Sequence, residues 1–426
     1  MISPKFVEVL IGEKELVSHT VIIIGGGAAG YFAAIQCAET NRLAKVILLE
    51  KSAKVLQKVK ISGGGRCNVT HACFDLKQLA KNYPRGEKHL KSAFSRFFTQ
   101  DTVNWFEHRK VKLKAEADGR MFPITDDSQT IVDCLQKEVN RLGIEVRIET
   151  AVKRVSPSFH GGFDIYLSNE EKLYCNRVVV ASGGSPKADG LNWLKDLGVR
   201  IETPVPSLFT FNIPNSELLA LQGIAVNPVK VKVVDTKLEN CGPMLITHWG
   251  LSGPAVLKLS SFGARHFAEK DYKFQVQISW LENKKEDAVR QELFNLKAAN
   301  PSKQVNSLFP FLLPKRLNTY ILERSGINEK LNWGEVSKEN LNQLIQNLLY
   351  DTYEVSGKTA FKEEFVTCGG VNLDDIDFKT MEFKRMRGLH FAGEVLDIDG
   401  ITGGFNFQAA WTTGFIAGQA AAAELS

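Results

Sequence analysis

The stretch that most limits what this chain can become is TVIIIGGGAAGYFAAIQCAE, residues 20–39. Val21 to Ile24 is a run of β-branched apolar residues, the composition of a strand buried on both faces of a parallel sheet. Gly25-x-Gly27-x-x-Gly30 follows without a spacer, and Ala28 to Glu39 reads as helix. In such a turn the first glycine permits the bend and the second lets a pyrophosphate reach the backbone. The third lets the helix pack closely on the strand. The helix start around Ala28 and Ala29 adds unpaired N–H groups and the positive end of the dipole. KVILLE then reads as a second strand ending in Glu50, whose carboxylate is placed to accept hydrogen bonds from ribose hydroxyls, with Lys51 beside it. These features mark a dinucleotide site. The same region is uncharged from Val21 to Ala38, long enough to suggest a membrane span, but its central glycines make strand, turn and helix the better reading.

Composition narrows the class. With 426 residues, 44% hydrophobic and 24% charged, the chain reads as a globular protein of two or three domains. A net charge of +5 contains no block of like charges that would mark a nucleic-acid arm or polybasic membrane anchor, so neither partner is expected. The seven cysteines form no C-x-x-C pair and no metal-like spacing, which suits reduced thiols. The N-terminus has no apolar core followed by a small-residue cleavage site. A cytoplasmic location is therefore expected, and no metal. Oligomeric state is not legible.

NAD and FAD share the opening fingerprint, but FAD carries a ribityl chain and a flavin ring that need further segments to line them. Three such segments occur. The first is KSAKVLQKVKISGGGRCNVT, read as a loop in which Ser62, Gly63, Gly64 and Gly65 open the backbone to phosphate or flavin. Arg66 and Asn68 are expected to donate hydrogen bonds to the cofactor. Cys67 and Cys73 are too widely spaced through this loop for a redox pair, and non-covalent FAD is expected. The second is RVVVASGGSPKADG, a buried strand from Arg177 to Ala181 running into Ser182-Gly183-Gly184 after a short antiparallel meander. The third is GLHFAGEVLDIDGITGGFNFQAAWTTG. It holds a strand at His390 to Ala392, a sharp exit at Gly393-Glu394 and a closing helix from about Gly404 to Ala423, with Gly414 and Gly418 for tight packing. A helix start at Thr402-Gly403-Gly404 would favour the negative charge that a flavin gains on reduction.

These motifs, with GRMFP at 119–123 and THWGLSGPAVLKLS at 247–260, make the chain from residue 20 onward resemble the BaiN/RdsA family of NAD(P)/FAD-dependent oxidoreductases, also called YhiN-like flavoproteins. The resemblance implies an α/β fold: a discontinuous Rossmann-type FAD-binding domain with an inserted β-barrel domain and a small helical subdomain. It further implies that Gly25, Gly27, Gly30, Glu50, the ISGGGRCN loop and the segment from Glu394 through Phe405 and Asn406 touch FAD. On this reading residues 1–19 are an extension without an assigned role. Residues 20–200 and 356–426 form the FAD domain, 201–283 a β-rich insert and 284–355 the helical part, where apolar spacing is helix-like.

His248 is a candidate proton donor or substrate ligand, weighed evenly against a structural histidine at a domain junction. The functional expectation is an FAD-dependent oxidoreductase moving hydride through flavin N5. Only one strand–GxGxxG–helix series is present, so NAD(P)H would dock transiently rather than in a dedicated domain. An NAD(P)H-dependent reductase of a small organic substrate leads. An oxidase of a small amine using dioxygen is the alternative, and a flavin-containing regulatory or RNA-associated protein represents a different class.

Overall fold

The computed structural model describes residues 19–185, 187, 189–359 and 366–423; all but His19 of the expected N-terminal extension lies outside them. Strand β1, Thr20–Ile24, runs into helix α1, Ala28–Thr40, and strand β2, Lys45–Leu49, lies parallel beside β1 with Ile22 opposite Ile47. Arg177–Val180 pairs in parallel with the other side of β1, Leu389–Phe391 lies beyond it, and Glu145–Arg147 flanks β2. Two short antiparallel strands, Ile376–Asp377 and Glu382–Phe383, finish one edge of this seven-stranded sheet. Val21 to Ile24 are buried, as central parallel strands must be when both faces are covered. The uncharged run is thus strand, turn and helix. Among the described residues no helix is long and apolar enough to cross a membrane.

The closing helix, Phe405–Ala422, packs on α1 at a separation that only glycine allows. A Cβ on Gly414 would lie 2.6 Å from the Ala29 carbonyl oxygen, and one on Gly418 would lie 2.3 Å from that of Ala33. Helices from opposite ends of the chain are thereby locked backbone to backbone. The expected meander is a three-stranded antiparallel sheet, Val152–Pro157, Phe163–Leu167 and Lys172–Cys175, which adds Val155, Phe163, Ile165 and Leu167 to the same core.

The chain leaves this unit along Ile201–Ser207 and returns along Val366–Val371, antiparallel to it. Between them lies a second antiparallel sheet in the order 351–356, 273–279, 225–233, 239–246, 250–252, 210–212, 358–359. Its two edge strands are consecutive in the chain and meet at Gly357, whose N–H donates to the Tyr272 carbonyl (2.9 Å) while its carbonyl accepts from the Asn212 N–H (3.2 Å). One bent segment therefore closes the sheet into a barrel. Helices Glu286–Ala299, Lys315–Arg324 and Lys338–Leu349 bury Leu293, Ile321 and Leu344 in the core that holds barrel residues Val231 and Ile278. The helix-like spacing of SKENLNQLIQNLLYDTY extends past the real helix end: after Leu349, Asp351, Tyr353 and Val355 alternate inward as an edge strand on Lys273–Ser279. Pairing with that strand outweighs a continued helix.

Candidate cofactor-binding site

Three glycine-bearing segments converge on the start of α1. The Gly25 N–H donates to the Leu49 carbonyl at 2.8 Å. A Cβ there would lie 2.3 Å from the Ala181 carbonyl oxygen, and one on Gly30 would lie 1.9 Å from the Gly25 oxygen. Those two glycines are demanded by the protein itself. Gly27 is not, because its backbone is ordinary and a Cβ on it would meet nothing within 4 Å. Space is open at Gly64, Gly65 and Gly183 too, but their φ of 68°, 84° and 76° calls for glycine. Gly184 and Gly393 draw their segments onto the same centre. A Cβ on Gly184 would approach Glu394 Cδ to 2.9 Å, and one on Gly393 would approach Ala29 Cβ to 2.7 Å. The first N–H groups of α1, from Ala28 onward, lack intrahelical acceptors. Main-chain donors at a helix start, beside a Gly27 whose Cβ space is left open, fit the diphosphate of FAD. Ser182 is exposed at the rim and Ala181 is buried beneath it.

Glu50 follows β2 and is held firmly. One carboxylate oxygen accepts from the Gly26 N–H at 2.7 Å; the other accepts from the N–H and O–H of Ser52 at 2.8 and 2.7 Å. A carboxylate offers about four acceptor positions, so one remains for a ribose hydroxyl. Lys51 is exposed.

The ISGGGRCN stretch, expected to be a loop, begins as helix. Helix α2, Gln57–Gly65, breaks inside itself: Ser62 turns to ψ 152°, and Gly63 and Gly64 take φ of 59° and 68°. The Cys67 N–H closes the turn on the Ser62 carbonyl at 3.0 Å. Cys67 is fully buried and burial pushes its thiol up to about 12, which leaves it a neutral thiol. Two neighbours expected to donate to the cofactor also have partners within the protein. The Arg66 guanidinium donates to Glu116 at 2.7 Å and lies 4.0 Å over the Phe122 ring, so its charge is used within the protein. Asn68 donates to the Thr70 carbonyl (3.0 Å) and accepts from the Gly404 N–H (2.9 Å), tying two loops together. Glu116 and Gly404 are distant in sequence from the motif, so the motif alone does not announce these contacts.

The closing helix starts as expected, with Gly404 as its N-cap at φ 92°. A Cβ there would lie 2.6 Å from the Thr70 carbonyl oxygen. Asn406 brackets Gly400, accepting its N–H (2.8 Å) and donating to its carbonyl (2.9 Å). Phe405 is buried, with its ring stacked on His71 at 4.6 Å. His71 Nδ1 sits 3.0 Å from the Gly403 carbonyl oxygen. Burial lowers the His71 pKa, and Asp118, Arg120 and Lys258 of the insert bear on it. His71 directly follows the same motif. Asp397 and Asp399 in LDIDG, to which the sequence reading gives no individual role, receive Arg265 (2.7 Å) and Arg85 respectively. His248 is exposed on the turn after Glu239–Ile246, with its ring against Trp249, and among the described residues no hydrogen bond brings it into this constellation.

A family model described as "HI0933-like protein Rossmann domain" matches residues 19–420, and the chain belongs to that family. It is accordingly an FAD-dependent oxidoreductase. The chain is 28% identical over 414 residues to the ribosomal RNA dihydrouridine synthase of Haemophilus influenzae, covering 92% of this chain and 96% of the relative. It is 26% identical over 411 residues to the 3-dehydro-bile acid delta(4,6)-reductase of Clostridium scindens, covering 94% and 98%. The 3-ketosteroid-delta4-(5alpha)-dehydrogenase of Rhodococcus jostii RHA1 shares the fold at a TM-score of 0.50 and 13% identity, over 95% of this chain and 97% of that one.

Proposed function

We propose that this member of the HI0933-like family reduces a ring carbon–carbon double bond conjugated to a carbonyl, with NAD(P)H as the transient electron donor. The observation that carries this reading is the near full-length similarity to two reductases whose names describe one chemistry. Making dihydrouridine saturates a uracil double bond next to a carbonyl; a delta(4,6)-reductase of a 3-dehydro compound acts on double bonds conjugated to its 3-oxo group. In the scheme proposed for this chain a hydride goes to one carbon and a proton from solvent to its neighbour, while NAD(P)H becomes NAD(P)+.

Bound FAD would supply hydride transfer at N5. The chain's own residues hold and tune it. The Gly25–Gly30 turn and Ala181–Gly184 would cradle the diphosphate, and Glu50 would hold the adenosine ribose. The first N–H groups of the closing helix, at Phe405 and Asn406, would favour negative charge on the flavin pyrimidine. The substrate would enter between this face and the barrel insert, a domain junction being a favoured place for a pocket.

The first reading takes a small organic ring as acceptor. A second places the double bond in a uridine of ribosomal RNA, favoured by relatives of that name at 28% and 29% identity. Anaerobic stopped-flow mixing tests the scheme. NADH or NADPH should bleach the flavin band, and a conjugated dienone or an unmodified ribosomal RNA fragment should restore it, which also separates the two acceptors. No bleaching by either nicotinamide, with rapid bleaching by a small primary amine and peroxide release on aeration, would overturn the reductase in favour of an amine oxidase.

A further inference from the structure

Lys58 stands near the start of α2, a helix tied to the dinucleotide turn by the Leu56 N–H donating to the Gly26 carbonyl at 2.8 Å. From there its ammonium reaches Glu394, Nζ to Oε2, at 2.7 Å. Glu394 belongs to a different wall of the cradle. Gly393 before it packs on Ala29 of α1, and Gly184 lies against its carboxylate carbon. Its second oxygen accepts from the Thr367 N–H at 2.9 Å, on the strand that returns from the insert. Glu394 is thus anchored through one oxygen and holds Lys58 with the other. The pair therefore joins the helix that follows the Gly25–Gly30 turn to the segments of Gly184 and Gly393.

We propose that Lys58 is a ligand of the FAD diphosphate, and that the Lys58–Glu394 pair is the latch the cofactor opens on entering. The ammonium exchanges the Glu394 carboxylate for a diphosphate oxygen. Glu394, still held by Thr367, then accepts a hydrogen bond from a hydroxyl of the ribityl chain. Lysine suits such an exchange, being a compact charge on a flexible stem. The Lys58 side chain is 55% exposed and that of Glu394 19%, so the lysine arm is free to swing away while the carboxylate stays in place. The diphosphate offers two negative charges beside a helix start, where Glu394 offers one.

The inference rests on FAD as the cofactor, and its test separates the two. Full-length protein freed of flavin by dialysis is titrated with FAD and with ADP, which has the diphosphate but no ribityl chain. Lys58→Met should weaken both by roughly tenfold or more, the loss of one charge-assisted contact, and added salt should shrink the difference. Lys58→Arg should retain most of the affinity. Glu394→Gln should bind ADP as well as or better than wild type, because the lysine is no longer held back, yet bind FAD more weakly. Unchanged ADP and FAD affinity in Lys58→Met, or equal loss of ADP affinity in Glu394→Gln and Lys58→Met, would overturn the latch while FAD binding stands. Wild-type protein that takes up no FAD would overturn both. The melting temperature of each flavin-free variant, expected to match wild type, shows that the fold survives.

Discussion

Arg85 grips both carboxylate oxygens of Asp399, a residue with no exposed surface, while Ser207 of the connecting strand donates to the same carboxylate at 2.6 Å. Arg85 also donates to the Ser261 carbonyl in the insert. One buried ion pair therefore pins the insert to the cofactor domain, beside Gly400 and the loop that starts the closing helix. Burial pushes the Asp399 carboxyl up, and Arg85 and Ser207 oppose that shift.

Removing one partner of such a pair leaves the other charged and unsatisfied. Asp399→Asn should destabilise the holoenzyme by about 3–5 kcal/mol in urea unfolding, and an Arg85→Met, Asp399→Leu double variant should lose less than the single change. A loss under about 1 kcal/mol in Asp399→Asn would show that the pair does not hold the two units together.

His390 gives a pH dependence. It is fully buried in strand Leu389–Phe391, its Nδ1 lies 3.0 Å from the Thr380 carbonyl oxygen, and burial pushes its pKa down from 6.5 to about 4. The unfolded chain takes up the proton near 6.5 and the folded chain only near 4. Stability from this group is therefore complete above 6.5 and is lost as pH falls toward 4, by about 3 kcal/mol. Urea titrations across that window should show the slope, and His390→Asn should flatten it. An equal slope in both proteins would assign the acid sensitivity elsewhere.

The glycines divide into two kinds with opposite expected effects. Gly418→Ala forces a Cβ to 2.3 Å from the Ala33 carbonyl and should cost about 1–3 kcal/mol of stability. Gly27 has an ordinary backbone, φ −90° and ψ −169°, and open space at its Cβ. Gly27→Ala should therefore leave the flavin-free protein's melting temperature unchanged while FAD affinity falls. Unchanged FAD affinity in Gly27→Ala would remove Gly27 from the diphosphate cradle.

Glu50 holds the dinucleotide turn as well as facing the cofactor. Glu50→Ala leaves the Gly26 N–H without its acceptor and takes away the proposed ribose contact, so FAD retention should weaken by about 1.5–3 kcal/mol with the fold intact. Full flavin occupancy after extensive dialysis would reject this role.

How much of this was legible divides along a physical line. The opening run determined its own strand, turn and helix, because a tight bend and a close helix–strand approach are demands made within a few residues and only glycine meets them at Gly25 and Gly30. The small residues at Gly414 and Gly418 likewise announced a close-packed helix, although not its partner, α1. Side-chain partners were decided by tertiary structure alone. Arg66 meets Glu116, Asp399 meets Arg85 and His248 lies exposed on a turn, none of which the neighbouring sequence announces. A long flexible charged side chain carries no local record of its partner. Folding supplies the partner by bringing together residues hundreds of positions apart, as with Lys58 and Glu394.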